Sequence, residues 1–336
     1  MKIILIGESA KHRDRLLAQL PAGIEVLGLP REAATTSDHD AAIGEDDVLI
    51  SMRFTRREST SPNFKLLHAP GAGLDGIDFA SLPDGATVCN VFEHEIPIAE
   101  YVMVAMLDHE IGYGRMRMDF NSQRWPDLYR ARVAHGELSG KTVGLIGYGR
   151  IGREVAKRAK AFGMQVVASN RSRIVDGLEH VDKALLMAGL EQLLTESDYV
   201  VIACPLSDTT RGLLDARALA KMHRSAVLIN VSRAEIVDQK ALYDALSGGE
   251  IGAAVLDVWW NYPLTDVDRP APADRSFDAL PNVYATAHSS AWTKQLPERR
   301  YRAIAQNIRR LIEGLPLANV VHSPRKDLNR PSAKPD

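Results

Sequence analysis

One stretch of this sequence, from Lys141 to Arg173, limits the possible folds more than any other. It begins with an apolar run of strand length, and three glycines follow at G-x-G-x-x-G spacing. A helical pattern then leads to Gly163, where a helix end favours a left-handed residue, and a second apolar run follows. A strand, a tight turn, a helix and a strand in this order predict a parallel α/β unit that binds a dinucleotide at the turn.

The three glycines of this turn each meet a different steric requirement of a dinucleotide site. Gly147 permits the tight turn, Gly149 lets the backbone approach a pyrophosphate, and Gly152 lets the helix lie close to the strand. The pyrophosphate would lie at the helix N-terminus, where free N–H groups and the helix dipole favour an anion. Arg150 and Ile151, which lie between the second and third glycines, are assigned to the same cofactor site.

The end of the second strand indicates which dinucleotide binds. An Asp or Glu there accepts hydrogen bonds from the ribose hydroxyls of NAD, but this chain has Asn170, followed by Arg171, Ser172 and Arg173. A carboxylate would repel a 2′-phosphate, whereas an amide, a hydroxyl and two guanidinium groups can hold one. These residues therefore favour NADP(H) as the cofactor, with NAD(H) as the alternative.

Length and composition are those of a globular protein with roughly two domains. The chain has 336 residues, 45% of them hydrophobic and 25% charged, and its formal net charge is −2. The sequence has no excess of basic residues that would indicate binding to nucleic acid. It also has no apolar run of about 18 residues that would indicate a membrane span, and no cationic leader that would indicate export. Two distant cysteines, Cys89 and Cys204, are typical of reduced thiols in the cytoplasm, and no residues have the spacing of a metal site.

Apolar runs alternate with helical patterns along the chain, which predicts parallel sheets. Residues 1–108 are expected to form a smaller α/β unit. A continuous helix from Ile98 to about Phe120 is expected to link this unit to the next domain, and a polar arm follows over 121–137. The glycine turn begins a set of six predicted parallel strands. A helix over 295–314 is too short to be a domain and is expected to pack on the first one. The predicted domains are therefore 1–108 with 293–336, and 109–292.

Two polar residues follow strands at the edge where a doubly wound sheet binds its ligands. Arg233 follows the strand over 226–231, and His288 follows the strand over 282–287. Hydride transfer to a 2-keto acid needs a cation to hold the carboxylate and polarise the carbonyl, and a proton donor to meet the alkoxide. An imidazole, with an unperturbed pKa of ~6.5, suits the second task. Arg233 and His288 are therefore the predicted catalytic residues.

Six segments of the chain match, in order, the motifs of one enzyme family. They are LLHAPGAGLDGID (66–78), GKTVGLIGYGRIG (140–152), CPLSDTTRGLLD (204–215), AVLINVSRAEIVD (226–238), GAAVLDV (252–258) and NVYATAHSS (282–290). By these segments the chain resembles the D-isomer-specific 2-hydroxyacid dehydrogenases. The resemblance implies an α/β fold of two doubly wound parallel-sheet domains, in which a Rossmann NAD(P)-binding domain is inserted into a flavodoxin-like substrate domain. It also implies a homodimer, and it maps the family's catalytic Arg and His onto Arg233 and His288.

The resemblance also assigns substrate and cofactor contacts. The family's substrate-carboxylate loop, which donates backbone N–H groups, falls on Ala72 and Gly73. Arg53 follows a predicted strand of the first domain, and its side chain could face the same substrate cleft. Asp257 and Ser290 match positions that approach the nicotinamide in relatives. The remaining residues assigned to the cofactor site lie at the carboxyl ends of two other predicted strands: Cys204, Pro205, Val231 and Ser232.

The sequence departs from the family at the residue that usually pairs with the catalytic His. Relatives carry a Glu five residues after the Asp, and the position counted from Asp257 is Tyr262. A carboxylate would raise the pKa of His288, whereas a phenol supplies no charge, so reduction is predicted to fall off at lower pH than in Glu-bearing relatives. Asp266 and Asp268 are the alternative partners of His288.

These observations together predict an NADPH-preferring oxidoreductase that reduces a small 2-keto acid, such as glyoxylate or hydroxypyruvate, to the D-2-hydroxy acid. One alternative is hydride transfer to a substrate that is not a keto acid, which follows from the missing Glu. The other is a non-catalytic protein that senses NAD(P) or acts as a corepressor, and the presence of Arg233 and His288 argues against it.

Overall fold

The computed structural model describes residues 1–56, 60–263 and 267–324. Its strands, in chain order, are β1 (Ile3–Ile6), β2 (Val26–Leu29), β3 (Val48–Ile50), β4 (Leu66–His68), β5 (Thr87–Cys89), β6 (Thr142–Ile146), β7 (Gln165–Asn170), β8 (Lys183–Leu186), β9 (Tyr199–Ile202), β10 (Val227–Asn230), β11 (Ala253–Leu256), β12 (Val283–Ala285) and β13 (Val320–His322). Its helices are α1 (Arg13–Leu17), α2 (Glu95–Ile111), α3 (Tyr113–Asp119), α4 (Trp125–Arg130), α5 (Arg150–Ala161), α6 (Leu190–Glu196), α7 (Ala216–Leu219), α8 (Gln239–Ser247) and α9 (Leu296–Ile312).

The chain forms two compact units, and the second is inserted into the first. Unit 1 consists of residues 1–93 together with the chain from Thr293 onward, and unit 2 runs from His94 to Trp292. The first division therefore precedes α2 and does not fall at residue 108 as expected. The reason is that α2 packs against α5, and its buried residues Val102 and Met106 belong to the core of unit 2.

Unit 1 has a six-stranded sheet in the order β13-β5-β4-β3-β1-β2. The order β2-β1-β3-β4-β5 is flavodoxin-like and parallel, and β13 is added antiparallel to β5. Side chains alternate between its two faces, because Ile3 and Leu5 enter one apolar core while Ile4 and Ile6 enter the other. The buried face of α9, which includes Tyr301, covers the first of these cores.

Unit 2 has a seven-stranded, fully parallel sheet in the order β12-β11-β10-β9-β6-β7-β8. This is the Rossmann strand order with one further strand beyond β11, and the direction of the order reverses between β6 and β9. Val143 and Leu145 face the core beneath α2 and α5, and Ile146 faces the opposite core beneath α6 and α8. The predicted class, α/β with two doubly wound parallel sheets, is confirmed.

Two predicted elements of unit 2 are wrong. The sheet has seven strands and not six, because the edge strand β8 alternates half-buried and exposed residues and begins with a lysine. The expected continuous helix over 98–120 is broken at Gly112, which adopts a left-handed φ of 66° and ends α2 with a hydrogen bond from its N–H to the carbonyl of Asp108. Among the described residues, no helix is both long and apolar enough to span a membrane.

Candidate active site

The glycine turn after β6 has the geometry that a dinucleotide site requires. Gly147 has a φ of 101°, and a Cβ there would lie 2.6 Å from the backbone nitrogen of Cys204. A Cβ on Gly152 would lie 2.4 Å from the carbonyl oxygen of Gly147, so α5 can pack against the turn only without a side chain. A Cβ on Gly149, in contrast, would meet no atom within 4 Å, which leaves open space in front of the turn.

The same turn presents an uncapped helix end beside the point where the strand order reverses. No side chain in the described part of the chain caps the N-terminus of α5, so its first N–H groups are available to an anion. Cys204 and Pro205 follow β9, the strand next to β6 at the reversal, and the Ser232 hydroxyl donates a hydrogen bond to the carbonyl of Cys204. The residues at this edge of the sheet therefore fit a dinucleotide whose pyrophosphate lies on α5.

Other residues assigned to the cofactor site flank this turn. Arg150 lies 3.7 Å from the carboxylate of Glu95 in α2, and Ile151 packs against the core at the start of α5. Val231 is 5% exposed and is part of that core. Burial raises the pKa of the Cys204 thiol to about 11, so this cysteine is a neutral packing residue.

The segment after β7 exposes the residues that were assigned to a 2′-phosphate. The amide of Asn170 donates hydrogen bonds to the carbonyl and the hydroxyl of Ser172 at 3.2 and 3.4 Å. Arg171 and Arg173 are exposed, and neither guanidinium has a hydrogen-bond or ion-pair partner among the described residues. Two cations without internal partners and one amide thus follow the second strand, where an NAD site would carry a carboxylate.

Arg233 lies in a turn at the end of β10 that a buried amide braces. Asn230 is 1% exposed, its side-chain N–H donates to the carbonyl of Arg233 at 3.0 Å, and its side-chain oxygen accepts from the N–H of Ser232 at 3.1 Å. The Arg233 guanidinium donates to the carbonyl of Ser232 at 2.9 Å. The backbone turn that carries the Arg233 side chain is therefore held in place by hydrogen bonds. Asn230 was missed by the sequence reasoning, although a polar residue closing the apolar run VLIN is a signal for it.

His288 lies in the loop after β12, and this loop is held by one carboxylate. Asp257 is 0% exposed, and it accepts hydrogen bonds from the Thr286 hydroxyl at 2.6 Å and from the N–H groups of Ser289 and Ser290 at 2.6 and 2.9 Å. Between these anchors His288 adopts a left-handed φ of 54°. The two carboxylate oxygens of Asp257 thus hold the loop through the Thr286 side chain before His288 and through two backbone N–H groups after it.

The partner of His288 is Tyr262, the residue at the family's Glu position. The phenol oxygen of Tyr262 and Nδ1 of His288 share a hydrogen bond of 2.9 Å. The N–H of Trp259 donates to the same phenol oxygen at 3.1 Å, and the Trp259 indole donates to the carbonyl of Thr286 at 2.8 Å. Asp266, one of the two alternative partners, lies outside the described residues.

The environment of His288 favours its neutral form. Removal of water from the ring lowers the pKa of His288 from its ordinary value, Asp257 opposes this shift, and Arg233 adds to it. Desolvation also raises the pKa of Tyr262, so the phenol carries no charge at neutral pH. Arg233, Tyr262, His288 and Asp257 are therefore close enough in unit 2 to influence one another electrostatically.

The residues assigned to substrate binding lie in unit 1. The Asn90 side chain donates to the carbonyl of Ala72 at 3.0 Å, which fixes the turn of Ala72 and Gly73. Arg53 is exposed, and it lines a cavity of about 370 Å³ with Met52, Thr55 and Asp75. Within the described ranges no group of three or more His, Cys, Asp and Glu residues is arranged to hold a metal ion.

Known proteins resemble this chain over nearly its whole length. The profile of the D-isomer specific 2-hydroxyacid dehydrogenase, NAD binding domain, matches residues 103–290. Hydroxypyruvate reductase of Thermotoga maritima is 33% identical over 85% of this chain and 91% of that protein. D-3-phosphoglycerate dehydrogenase of Methanocaldococcus jannaschii is 32% identical over 96% of this chain but only 60% of that protein. A D-isomer specific 2-hydroxyacid dehydrogenase from Polaromonas sp. JS6 66 has a solved structure with a TM-score of 0.73 and 27% identity, covering 96% of this chain and 99% of that one.

The fold, the site and these relatives define an NAD(P)-dependent oxidoreductase that acts on 2-hydroxy or 2-keto acids. The chain belongs to the D-isomer-specific 2-hydroxyacid dehydrogenase family.

Proposed function

We propose that this protein reduces a small 2-keto acid of the glyoxylate or hydroxypyruvate type to its D-2-hydroxy acid, with NADPH as the preferred reductant. The observation that carries the proposal is the placement of Arg233 and His288 at strand ends of the sheet that bears the glycine turn, each in a loop that is hydrogen-bonded to a buried side chain, Asn230 or Asp257. The relative from Thermotoga maritima that covers most of both chains is named a hydroxypyruvate reductase, which supports a small substrate.

In this proposal each group of the site has a defined task. Arg233 holds the substrate carboxylate and polarises the carbonyl through its N–H groups. The bound nicotinamide supplies the hydride. Nδ1 of His288 is engaged by Tyr262, so Nε2 is the nitrogen that gives a proton to the forming alkoxide and takes it back in oxidation. The backbone N–H groups of Ala72 and Gly73 complete the carboxylate site, and Arg53 is a further candidate contact.

The preference for NADPH rests on the segment after β7. Asn170 replaces the carboxylate that would pair with the ribose of NAD, and Arg171 and Arg173 are exposed cations. A phosphate dianion would gain two charge-assisted contacts there, whereas NADH would gain neither.

We further propose a cytoplasmic homodimer. Cys89 and Cys204 are buried free thiols, which is typical of a reducing compartment. Helices α3 and α4 contain no buried residue, and Met118 in α3 and Phe120 directly after it are 85% and 59% exposed. Apolar side chains on such an arm are suited to cover a second copy of the chain.

A panel of substrates with both cofactors tests the proposal. Purified protein is assayed with NADPH and NADH against glyoxylate, hydroxypyruvate, pyruvate, 3-phosphohydroxypyruvate and non-acid carbonyl compounds. We expect the highest kcat/KM for glyoxylate or hydroxypyruvate with NADPH. Turnover of a non-acid alone would favour the alternative substrate class, and tight NADPH binding without any turnover would favour a sensor.

A further inference from the structure

We propose that Tyr262 is the positioning residue of His288, and that a neutral phenol replaces the carboxylate with which an acid/base histidine is usually paired. The inference rests on the proposed function in one respect, that His288 exchanges the proton with the substrate. It goes beyond that function because it assigns how the imidazole is oriented and how its acidity is set.

The phenol of Tyr262 is held by a second hydrogen bond besides the one to His288. The Trp259 N–H donates to the phenol oxygen at 3.1 Å, and the Trp259 indole is itself tied to the carbonyl of Thr286 in the loop that carries His288. Tyr262 therefore connects the segment after β11 to the loop after β12. Because Asp257 holds the backbone of the same loop, His288 is constrained at its backbone by Asp257 and at its ring by Tyr262.

The phenol oxygen of Tyr262 can bond to His288 in both protonation states that the reaction uses. A phenol oxygen has one O–H and two lone pairs, and the Trp259 N–H uses one lone pair. The second lone pair can accept from Nδ1–H of His288, which serves both the imidazolium and the neutral ring with its proton on Nδ1. When the proton leaves Nε2 for the alkoxide, the hydrogen bond at Nδ1 persists, and Nε2 is left as the free base that the reverse reaction needs.

The charge of the contact differs from that of a carboxylate. Among the described residues, the charged groups that act on this pair are Asp257, which directly follows β11, and Arg233 and Glu235 from the segment after β10. Asp257 shares its carboxylate among three hydrogen bonds, and Arg233 opposes protonation of the imidazole. With a neutral phenol at Nδ1, the imidazolium is a stronger acid and is populated only at lower pH.

Three variants of the full-length protein test this arrangement. Tyr262→Glu restores a carboxylate at Nδ1, Tyr262→Phe removes only the hydroxyl, and Tyr284→Phe removes the hydroxyl of another tyrosine in unit 2, with a side chain 40% exposed, as the control. Rates of keto acid reduction are measured across pH 5 to 9. In parallel, the titration and tautomer of His288 are followed by ¹⁵N NMR of histidine-labelled protein with NADPH, with His288→Gln used to assign the resonance.

As the pH rises, we expect the reduction rate of Tyr262→Glu to fall at a pH about one unit higher than in the wild type. The reason is that an adjacent carboxylate raises the pKa of an imidazole by about 1–3 units. Tyr262→Phe should lose roughly ten-fold in kcat/KM, because Nδ1 and the Trp259 N–H both lose a partner. Tyr284→Phe should match the wild type in rate, pH profile and NMR titration.

An unchanged pH profile and His288 titration in both Tyr262 variants would overturn the proposal. Should the variants not fold, the wild-type NMR spectrum still decides, because a neutral ring with its proton on Nε2 would contradict an accepting phenol. The NMR titration needs no turnover. A wild-type protein that shows the expected titration but reduces no keto acid would therefore refute the proposed function and leave the Tyr262–His288 pair intact.

Discussion

His288 is held in a backbone conformation that a non-glycine residue rarely adopts. Its φ of 54° costs on the order of 1–3 kcal/mol, and the three hydrogen bonds that converge on Asp257 offset this cost. Strain of this kind is informative because the loop could relax if Asp257 did not bind it on both sides. The anchoring of the imidazole is therefore built into the residues around it and does not depend on the substrate.

A second histidine has a purely structural task and gives a prediction about acid stability. His68 lies at the end of β4, and the amide of Asn307 donates to its Nε2 at 3.2 Å. Burial lowers the pKa of His68 to about 4, so the folded protein keeps the ring neutral. Below pH 6.5, the ordinary pKa of histidine, the unfolded chain binds a proton at His68 and the folded chain does not. The free energy of unfolding therefore falls as the pH drops from 6.5 toward 4, by up to about 3 kcal/mol.

Chemical denaturation of wild type and His68→Gln between pH 7 and pH 4.5 measures this effect. The variant should be less stable at pH 7 but should lose less stability on acidification than the wild type. Replacement of the exposed His135 by Gln is the control for removing an imidazole. Identical pH slopes in wild type and His68→Gln would show that His68 is not held neutral.

At the scale of elements, the closeness of α5 to the glycine turn leads to a prediction about cofactor affinity. A Cβ on residue 152 would lie 2.4 Å from the carbonyl of Gly147, so Gly152→Ala must push the helix away from the turn. Overpacking of this kind costs about 1–3 kcal/mol. We expect the Kd for NADPH, measured by fluorescence titration, to rise roughly ten-fold or more. Gly85→Ala, where a Cβ meets nothing within 4 Å, should leave this Kd unchanged.

The segment after β7 gives the prediction for cofactor choice. Asn170→Asp combined with Arg171→Ala adds a carboxylate for the ribose and removes one cation. The ratio of kcat/KM for NADPH to that for NADH should fall at least about ten-fold, which corresponds to about 1.4 kcal/mol. Arg117→Ala on α3 is the charge control. A ratio that does not move would exclude this segment as the 2′-phosphate site.

The elements that sequence predicts well are those whose signal is local. The glycine turn, the buried strands and the residues that follow them can be recognised because periodicity and glycine spacing are properties of short segments. The break at Gly112 and the edge strand β8 were not predictable in this way. A glycine inside a helical pattern becomes a stop only when the surrounding packing favours it, and an edge strand with alternating exposure lacks a continuous apolar run.

The site was only partly predictable for the same reason. Arg233 and His288 could be proposed from the sequence because each lies shortly after a predicted strand of the sheet. The hydrogen bond between Tyr262 and His288 joins residues far apart in sequence, so it depends on where two loops meet after folding. The bracing of Arg233 by Asn230 and of His288 by Asp257 is likewise a property of the folded loops.

For the molecule as a whole, the exposed arm and the helix α3 that precedes it predict a dimer. Met118 and Val133 are each 85% exposed, and Trp125 between them is 50% exposed. Analytical ultracentrifugation should give twice the chain mass of 36.9 kDa. Met118→Lys with Val133→Lys should shift the protein toward the monomer. Val175→Lys, at a residue 76% exposed outside the arm, should not do so. A monomeric wild type would contradict the proposed assembly.

The central claim is that Arg233 and His288 act on the same small anion beside the nicotinamide. The most direct measurement is kcat/KM for NADPH-dependent keto acid reduction by Arg233→Ala, His288→Gln and the double variant, with the NADPH Kd of each measured separately. We predict a loss of about 10²–10⁴-fold in each single variant, a double variant that loses less than the product of the two, and little change in Kd. Single variants that reduce keto acids as fast as the wild type would contradict the account.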